Sequence, residues 1–302
     1  MTKNNESINL SLPYQPPYVW DDMVDFLAQR AVEGVESVVD GEYRRTVTVP
    51  SGEKVHQGWI TVANAPKTNS LSITMAPSLV PVSSQVINRV SHLFDTSRDP
   101  VEIYDKLKIM NQVSPDMCVP GTRVPGSFDP FEISTRAILG QQVTVKAART
   151  LASRLALAFG GNFKTPFEKL NMVFPRADII YKLNAPVEDR LGSLGITGSK
   201  ARAIYALAEA LVTRAISFSS NADPLEEMEK LLTLPGFGPW TVQYIGMRAF
   251  GWPDAFPHTD YGVKKALGGL KPQTILDISE EWKPWRSYAT INLWYSLKKG
   301  GN

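Results

Sequence analysis

The sequence predicts an α+β protein, in which an antiparallel sheet with helices is followed by an all-helical domain. Segments that alternate apolar and polar residues occur within the first hundred residues, where Pro and Gly punctuate them. Beyond about Asp99 nearly every segment has helical periodicity instead. Because 302 residues suffice for two domains, we place the sheet domain at 1–97 and the helical domain at 98–302.

The N-terminal part is predicted to contain three strands and two helices. Apolar residues between 26 and 35 lie near helical spacing, and a second helix presents its apolar residues between 86 and 93. This second helix would cover one side of the sheet. The predicted strands are 43–49, 58–63 and 71–75.

The helical part is marked by Asp-Pro pairs, because Asp caps a helix N-terminus and Pro suits its first turn. Such pairs occur at 129–130 and 223–224. The residues GQQ at 140–142 interrupt a long apolar pattern, so a break between two helices is expected there. The predicted helical segments are 100–110, 130–159, 186–194, 200–215, 224–232, 240–250, 261–267, 273–281 and 285–297.

The composition excludes several classes of protein and site. The single cysteine, Cys118, cannot close an intrachain disulfide, and three scattered histidines with one cysteine assemble neither a zinc site nor a four-cysteine cluster. The sequence shows no export signal and no membrane span, so a cytoplasmic protein is expected. No cofactor is expected, and the chemistry must use carboxylates, hydroxyls, amides and aromatic rings. A net charge of +2 neither indicates nor excludes a nucleic-acid partner.

The segment LPGFGPWT at 234–241 is typical of a tight turn between two helices, and we place the whole hairpin at 226–250. Gly236 and Gly238 allow positive φ and close backbone approach, while Pro239 suits the first turn of the second helix. Free amides at such a helix start can bind a phosphate. The alternative is a corner that merely packs.

The hairpin is similar to the helix-hairpin-helix of DNA repair proteins, and HTD at 258–260 narrows the resemblance to the glycosylases that combine it with an aspartate. Nearly the whole chain resembles the 3-methyladenine DNA glycosylase II (AlkA-type) family. This resemblance implies an N-terminal domain similar to one repeat of the TATA-binding fold, and two helical subdomains separated by a cleft. It also implies a partner, double-stranded DNA with damaged bases, and a monomer without membrane association. The other segments that carry it are PPY at 16–18, FLAQRAV at 26–32, RAILGQQV at 136–143 and WKPWRSYA at 282–289.

Asp260 occupies the position of the family's catalytic aspartate. An ionised carboxylate stabilises the oxocarbenium-like transition state of N-glycosidic bond cleavage and can orient or deprotonate the attacking water. The alternative is that Asp260 is only a helix N-cap. Related bifunctional enzymes carry a nucleophilic lysine where this chain has Trp240, so we expect simple hydrolysis that leaves an abasic site.

Aromatic residues are predicted to hold the flipped base. Trp240 and Tyr244 are four residues apart and share one helix face, and electron-rich rings attract cationic bases such as 3-methyladenine and 7-methylguanine. For each ring taken singly, core packing is the alternative. By resemblance, the same cleft is lined by Trp294, Tyr261, Phe26 and Arg30.

Further residues are predicted to contact DNA. Gln142 stands where the best-known relatives place a leucine, and it is our candidate for filling the space left by the flipped base. The alternative is a solvent-exposed turn glutamine. The hairpin carbonyls of Leu232, Leu234 and Phe237 are candidate ligands for a monovalent cation. The full predicted DNA-binding set is Gly236, Gly238, Pro239, Thr241, Gln141 and Gln142.

The function that the sequence predicts is therefore a monofunctional DNA glycosylase of base excision repair, acting on alkylated bases. Two other functions are the alternatives, one without catalysis and one with a different reaction. A non-catalytic module that binds damaged DNA would gain nothing from a carboxylate near the phosphates. A bifunctional glycosylase/lyase on oxidised bases is disfavoured by Trp240 and by the lack of a cysteine cluster.

Overall fold

The computed structural model describes residues 7–183 and 186–299. Its N-terminal part is a five-stranded antiparallel sheet in the order β1-β5-β4-β3-β2. The three predicted strands lie within β3, β4 and β5, and two further strands, β1 and β2, form the edges. The strands are β1 (Ile8–Pro13), β2 (Glu36–Val39), β3 (Glu42–Ser51), β4 (Lys54–Ala65) and β5 (Ser70–Met75).

Local sequence explains both strands that were not predicted. β1 alternates Ile8, Leu10 and Leu12 with more exposed residues, which is the pattern of a half-buried strand. β2 is joined to β3 by Asp40 and Gly41, whose φ angles of 51° and 74° suit a two-residue hairpin turn. The sheet is therefore wider at both edges than the sequence indicated.

Two helices accompany the sheet: α1 (Trp20–Arg30) and α2 (Ser83–Phe94). The helix predicted around 26–35 ends at Arg30, because the backbone leaves helical geometry at Ala31 (φ −56°, ψ 129°). Gly34, with a φ of 83°, then turns the chain towards β2. Val32 and Val35 are nevertheless fully buried, which explains their apolar pattern.

The remaining chain is helical, as predicted. The expected break after residue 139 separates α4 from α5, and Thr144 caps α5 by accepting the Ala147 amide at 3.2 Å. One short helix, α6, was not predicted. The helices are α3 (Pro100–Leu107), α4 (Pro130–Leu139), α5 (Val145–Phe159), α6 (Ala177–Tyr181), α7 (Val187–Gly192), α8 (Gly198–Val212), α9 (Pro224–Leu232), α10 (Pro239–Ile245), α11 (Tyr261–Ala266), α12 (Pro272–Ser279) and α13 (Arg286–Lys299).

Buried apolar side chains form two clusters. The first joins the sheet, α2 and α3 with the C-terminal helices α11 to α13. The second joins α4 to α10 and includes Val32 and Val35 from the turn after α1. Tyr244 packs against both clusters, so its helix α10 lies at their junction. The α+β fold class is confirmed, while the boundary at residue 97 stays a prediction.

A helix that crosses a bilayer needs about 20 predominantly apolar residues. None of the helices within 7–183 and 186–299 is both long and apolar enough.

Candidate active site

The Asp260 carboxylate, at the start of α11, accepts four hydrogen bonds. Its Oδ1 atom accepts from the backbone N–H of Gly262 at 2.7 Å and of Val263 at 3.1 Å. The same oxygen accepts from Trp294 Nε1 at 2.9 Å, and Oδ2 accepts from Trp240 Nε1 at 2.9 Å. Asp260 is thus the N-cap of α11. The two hydrogen bonds from indoles have no part in capping, so a capping role alone does not account for its surroundings. Because Oδ2 accepts only one of the four bonds, it keeps acceptor capacity for another group.

The two indoles that hold Asp260 come from different parts of the chain. Trp240 is the second residue of α10, in the hairpin, whereas Trp294 lies in α13. We call Trp240 and Trp294 the indole clamp. It ties the carboxylate to both helices, so their packing sets the direction of its two oxygens.

Gly262 makes room for one half of the indole clamp. A Cβ atom at this position would lie 2.8 Å from Cδ1 and 3.0 Å from Nε1 of Trp294. Carbon atoms do not approach so closely without displacement, so any larger residue would push the indole away from Asp260. Gly262 could not be selected from the sequence, because the need for a small residue arises from a contact with a distant helix.

Four of the predicted pocket rings lie together. The Phe26 and Trp294 ring centroids are 6.1 Å apart with an interplanar angle of 13°, and Tyr244 lies 6.3 Å from Trp294. Trp240 and Tyr244 are 5.4 Å apart and nearly parallel, as their spacing on one helix face predicted. The rings therefore form a continuous aromatic surface beside Asp260.

Two arginines lie against this aromatic surface. The guanidinium carbon of Arg30 is 3.7 Å from the Phe26 ring centroid, and that of Arg248 is 5.0 Å from it. Burial lowers the pKa of Arg30. Phe26 is only 1% exposed and packs in the first cluster, as the core-packing alternative predicted, so the stacking surface left for a ligand belongs to the other three rings.

Arg248 was not selected from the sequence. Its Nη1 atom donates to the Tyr244 hydroxyl at 2.7 Å, and its other nitrogens donate to the carbonyls of Pro125 and Gly126. Burial alone would raise the pKa of Tyr244, but Arg248 and Arg30 lower it below its usual value. The available signal was the four-residue spacing of Tyr244 and Arg248, which places both on the same face.

Tyr261 is placed differently from the other predicted pocket residues. It follows Asp260 as the first residue of α11, and 76% of it is exposed. Its side chain lies at the surface, outside the stacked group of four. Its part in the pocket stays a prediction.

The loop at 140–142 is fastened to the hairpin. The Gln141 side-chain amide donates to the Gly236 carbonyl at 2.9 Å and to Thr241 Oγ1 at 2.8 Å. Gln141 and the buried Thr241 therefore contact each other, although both were predicted to contact DNA. Gln142 is exposed and has a φ of 57°, a left-handed conformation that is uncommon outside glycine.

The turn of the hairpin is exposed at Gly236, Gly238 and Pro239. Of the three candidate carbonyl ligands for a cation, that of Leu234 accepts the Phe237 amide at 3.2 Å. A carbonyl oxygen has two lone pairs, so this bond leaves one for a cation. Binding of a monovalent cation by these carbonyls stays a prediction.

Comparisons with known proteins agree with this architecture. A family model of the AlkA N-terminal domain matches residues 9–129, and the model of the HhH-GPD superfamily base excision DNA repair protein matches residues 135–281. The chain is 34% identical to DNA-3-methyladenine glycosylase 2 of Escherichia coli over 95% of this chain and 96% of that protein.

Two further matches cover almost the whole chain. The "Probable bifunctional transcriptional activator/DNA repair enzyme AlkA" of Mycobacterium tuberculosis is 33% identical over 98% of this chain, which spans 58% of that longer protein. The solved structure of a 3-methyladenine DNA-glycosylase from Archaeoglobus fulgidus superimposes with a TM-score of 0.75 at 18% identity, covering 97% of this chain and 100% of that one.

Proposed function

The chain belongs to the DNA-3-methyladenine glycosylase 2 family of the HhH-GPD superfamily, and from this premise we propose that it removes alkylated bases from duplex DNA. The substrates are 3-methyladenine and 7-methylguanine and similar lesions, and the reaction belongs to base excision repair. It is a hydrolysis: water adds to C1′ of the deoxyribose, and the base leaves with the electron pair of the N-glycosidic bond. An abasic site and a free base result.

The observation that carries this proposal is the clamped carboxylate beside an aromatic surface. The transition state develops positive charge on the sugar, which a fixed negative charge stabilises. The Asp260 oxygens are held by two indoles and two backbone amides, so little reorganisation is needed when that charge appears. Oδ2, with its spare acceptor capacity, would orient the attacking water and receive its proton.

We propose that the flipped base stacks on the aromatic surface. Trp240, Tyr244 and Trp294 offer π faces near the carboxylate, and such faces hold a base while excluding water. An alkylated purine with a positive charge gains cation–π attraction of about 0.5–2 kcal/mol. Arg30 and Arg248 oppose part of this gain, since their guanidinium groups are also cationic.

The DNA would be held at two places beside the cleft. Exposed amides of the hairpin turn, at Gly236 and Gly238, are proposed to bind a backbone phosphate. Gln142 is proposed to enter the duplex where the flipped base has left, because it is exposed at the tip of the neighbouring loop. Its amide can hydrogen-bond to the unpaired base opposite.

The enzyme is monofunctional. A lyase step requires an amine that forms a Schiff base with C1′. Trp240 stands at the position of the lyase lysine and has no amine; its indole N–H instead donates to Asp260.

We also propose that the protein acts as a monomer in the cytoplasm, on chromosomal DNA, and that its domains are 1–97 and 98–302. One copy of the chain brings together the carboxylate, the aromatic surface and the hairpin, which supports a monomer. Two predicted pocket residues, Phe26 and Arg30, belong to the N-terminal domain in this division.

The test is base release from duplexes that each carry one defined lesion, analysed by chromatography. We expect free 3-methyladenine and 7-methylguanine, with no strand cleavage and no enzyme trapped on DNA by borohydride. Binding of every lesion without release of any base would favour the non-catalytic module. Borohydride trapping would favour the bifunctional enzyme.

A further inference from the structure

Lys200, in the first turn of α8, holds the loop that carries Gln142. Its ammonium group donates to the carbonyls of Leu139 and Gln141, both at 2.9 Å. Leu139 is the last residue of α4, so the cation also lies at a helix C-terminus, where positive charge is favourable. The loop after α4 is thus fixed by a side chain that lies 61 residues from Leu139 and 59 residues from Gln141 along the chain.

The bond to the Gln141 carbonyl has a direct effect on Gln142. That carbonyl belongs to the planar peptide unit joining Gln141 to Gln142, so its orientation is coupled to φ of Gln142. This φ is 57°, and non-glycine residues keep such angles only where their surroundings hold them. Lys200 supplies that restraint from outside the loop.

The same helix also contacts the hairpin. Gly236 packs against Ala203, one turn after Lys200: a Cβ on Gly236 would lie 2.9 Å from the Ala203 Cβ. The Gln141 side chain connects the loop to the hairpin, because it donates to the Gly236 carbonyl and to Thr241 Oγ1. The loop, the hairpin and the start of α8 are therefore joined at three places.

A lysine near a DNA surface could instead bind a phosphate, and the geometry argues against that role. Two of the three ammonium N–H groups are already used by carbonyls. Lys200 is half-buried, whereas Arg202 on the same helix is exposed and pairs with Glu188 at 3.1 Å. Burial also lowers the pKa of Lys200. Arg202 is thus a matched control for the loss of one positive charge from this helix.

We propose that Lys200 is a positioning residue for base flipping, which fixes the 141–142 peptide so that Gln142 enters the duplex when the hairpin binds a phosphate. This inference rests on the proposed function, and in particular on Gln142 filling the vacated stack. It assigns Lys200 no contact with the substrate. Its effect is therefore confined to substrates in which the base must be removed from a paired duplex.

The test compares single-turnover base release from a lesion in a paired duplex with release of the same lesion from single-stranded DNA. Lys200→Met keeps the aliphatic chain and removes the donor. We expect the rate of base release to fall about tenfold on the paired duplex and less than about twofold on the single strand. Without Lys200, the flipping step must also order Gln142, and the single strand needs no such step. Arg202→Met should leave both rates within about twofold of the wild type.

Graded variants and a second measurement keep the inference open to contradiction if Lys200→Met does not fold. Lys200→Arg retains the charge and several donors and should restore most of the paired-duplex rate. Lys200→Gln reaches one carbonyl and should be intermediate. Gln142→Ala should itself lose more activity on the paired duplex than on the single strand. Adding Lys200→Met to this variant should lower the paired-duplex rate little further.

Each contrary result has a distinct meaning. If Lys200→Met lost the same fraction of its rate on both substrates, the positioning role of Lys200 would be wrong. The same conclusion would follow if its DNA binding depended less on salt, by the amount expected for one phosphate contact. Either result would leave the proposed function standing. A Gln142→Ala variant with equal losses on both substrates would overturn the proposed role of Gln142 and this inference with it. Absence of base release by the wild-type protein on every substrate would instead overturn the proposed function.

Discussion

Among the described residues, the donors that hold Asp260 are all uncharged: two indole N–H groups and two backbone amides. A lysine or arginine in their place would fix the carboxylate equally well but would offset the negative charge that an oxocarbenium-like transition state requires. Neutral donors orient the group and leave its charge available. The chemical identity of these donors thus matters as much as the carboxylate itself.

Replacing Asp260 by Asn should abolish most of the activity while leaving the fold intact. Asn keeps the size and one acceptor oxygen for the cap, but it loses the charge and presents an NH2 group to one donor of the site. We expect single-turnover release of 3-methyladenine to fall by at least about a hundredfold, with DNA binding retained. Release at the wild-type rate would show that Asp260 is only a cap.

Gly262→Ala should slow catalysis although alanine favours a helix by about 1 kcal/mol relative to glycine. The added Cβ would meet Trp294 at 2.8 Å, so the indole must move away from Asp260. We expect about a tenfold lower kcat, the effect of losing one such hydrogen bond, with duplex affinity unchanged. Trp294→Phe should have a similar effect, and the two changes together should not be additive.

A matched control is Gly192→Ala, because a Cβ at this helical glycine meets no atom within 4 Å in the part of the chain that the structure describes. It should alter neither kcat nor affinity. If Gly262→Ala behaved like this control, the close approach of Trp294 to Asp260 would have no part in the reaction.

At the scale of elements, the two hairpin glycines have different physical roles. Gly236 has a φ of 80° and lies against Ala203 of α8, so both its backbone angle and its packing require glycine. Gly238 has a φ of −87°, which any residue adopts, and a Cβ there meets no atom of the described residues within 4 Å. The first glycine builds the turn, and the second keeps its outer surface open.

Substitutions should separate these roles. Gly238→Asp should weaken binding to all duplexes, lesion or not, because it adds a negative charge where a phosphate is proposed to approach, and the protein should remain folded. Gly236→Ala should instead lower the free energy of unfolding by about 1–3 kcal/mol. Titration of an abasic-site duplex at fixed salt concentration measures the loss of affinity in Gly238→Asp. Urea unfolding measures the loss of stability in Gly236→Ala. Unchanged affinity of Gly238→Asp would remove the hairpin from the DNA interface.

At the scale of the whole molecule, a buried ionic network connects the sheet to the helical part. Arg45 of β3 pairs with Glu132 of α4 at 2.7 Å, and Arg136 of α4 pairs with Glu36 of β2 at 2.8 Å. Arg136 also donates to the Arg30 carbonyl at 2.6 Å. This last bond links the network to the end of α1, where Arg30 contacts Phe26, so the sheet supports one wall of the candidate site.

A second junction lies at Asp95, which follows α2 and accepts the Val124 amide at 3.2 Å. Asp95 also lines a cavity of about 120 Å³ with Arg98 and Tyr288. Burial raises the pKa of the Asp95 carboxyl from its usual 3.8 to about 6, although Tyr288, Arg123 and Arg98 act to lower it. The ionised form is therefore disfavoured in the folded protein.

The sign of the pH effect follows from this raised pKa. The stabilising contribution of Asp95 is fully present below pH 3.8 and is lost as the pH rises through about 6. Between about pH 4 and pH 7 we expect the wild type to lose about 1–3 kcal/mol relative to Asp95→Asn, which does not titrate and tolerates the left-handed φ of 51°. Urea unfolding at several pH values measures this difference, and parallel profiles for the two proteins would contradict it.

Local patterns determined most of the elements. Alternation predicted β3 to β5, Asp-Pro pairs predicted the starts of α4 and α9, and the residues at 140–142 predicted a break between helices. Val32 and Val35 were wrongly predicted to belong to a helix. They are apolar because they pack into the second cluster, and their spacing happens to match that of a helix. The short α6 gave no such signal, since five residues carry too little periodicity.

The fold class, the family resemblance and the residue types of the site could be predicted from the sequence, because they depend on patterns along the chain. Which atoms meet depends on the packing of the folded chain. Trp294 lies 34 residues from Asp260, and Lys200 lies 59 residues from Gln141, yet each pair shares a hydrogen bond. The closeness of Gly262 to Trp294 likewise arises from packing of α11 against α13. Such contacts are fixed by how helices pack, and helix packing has no period along the chain from which it can be predicted.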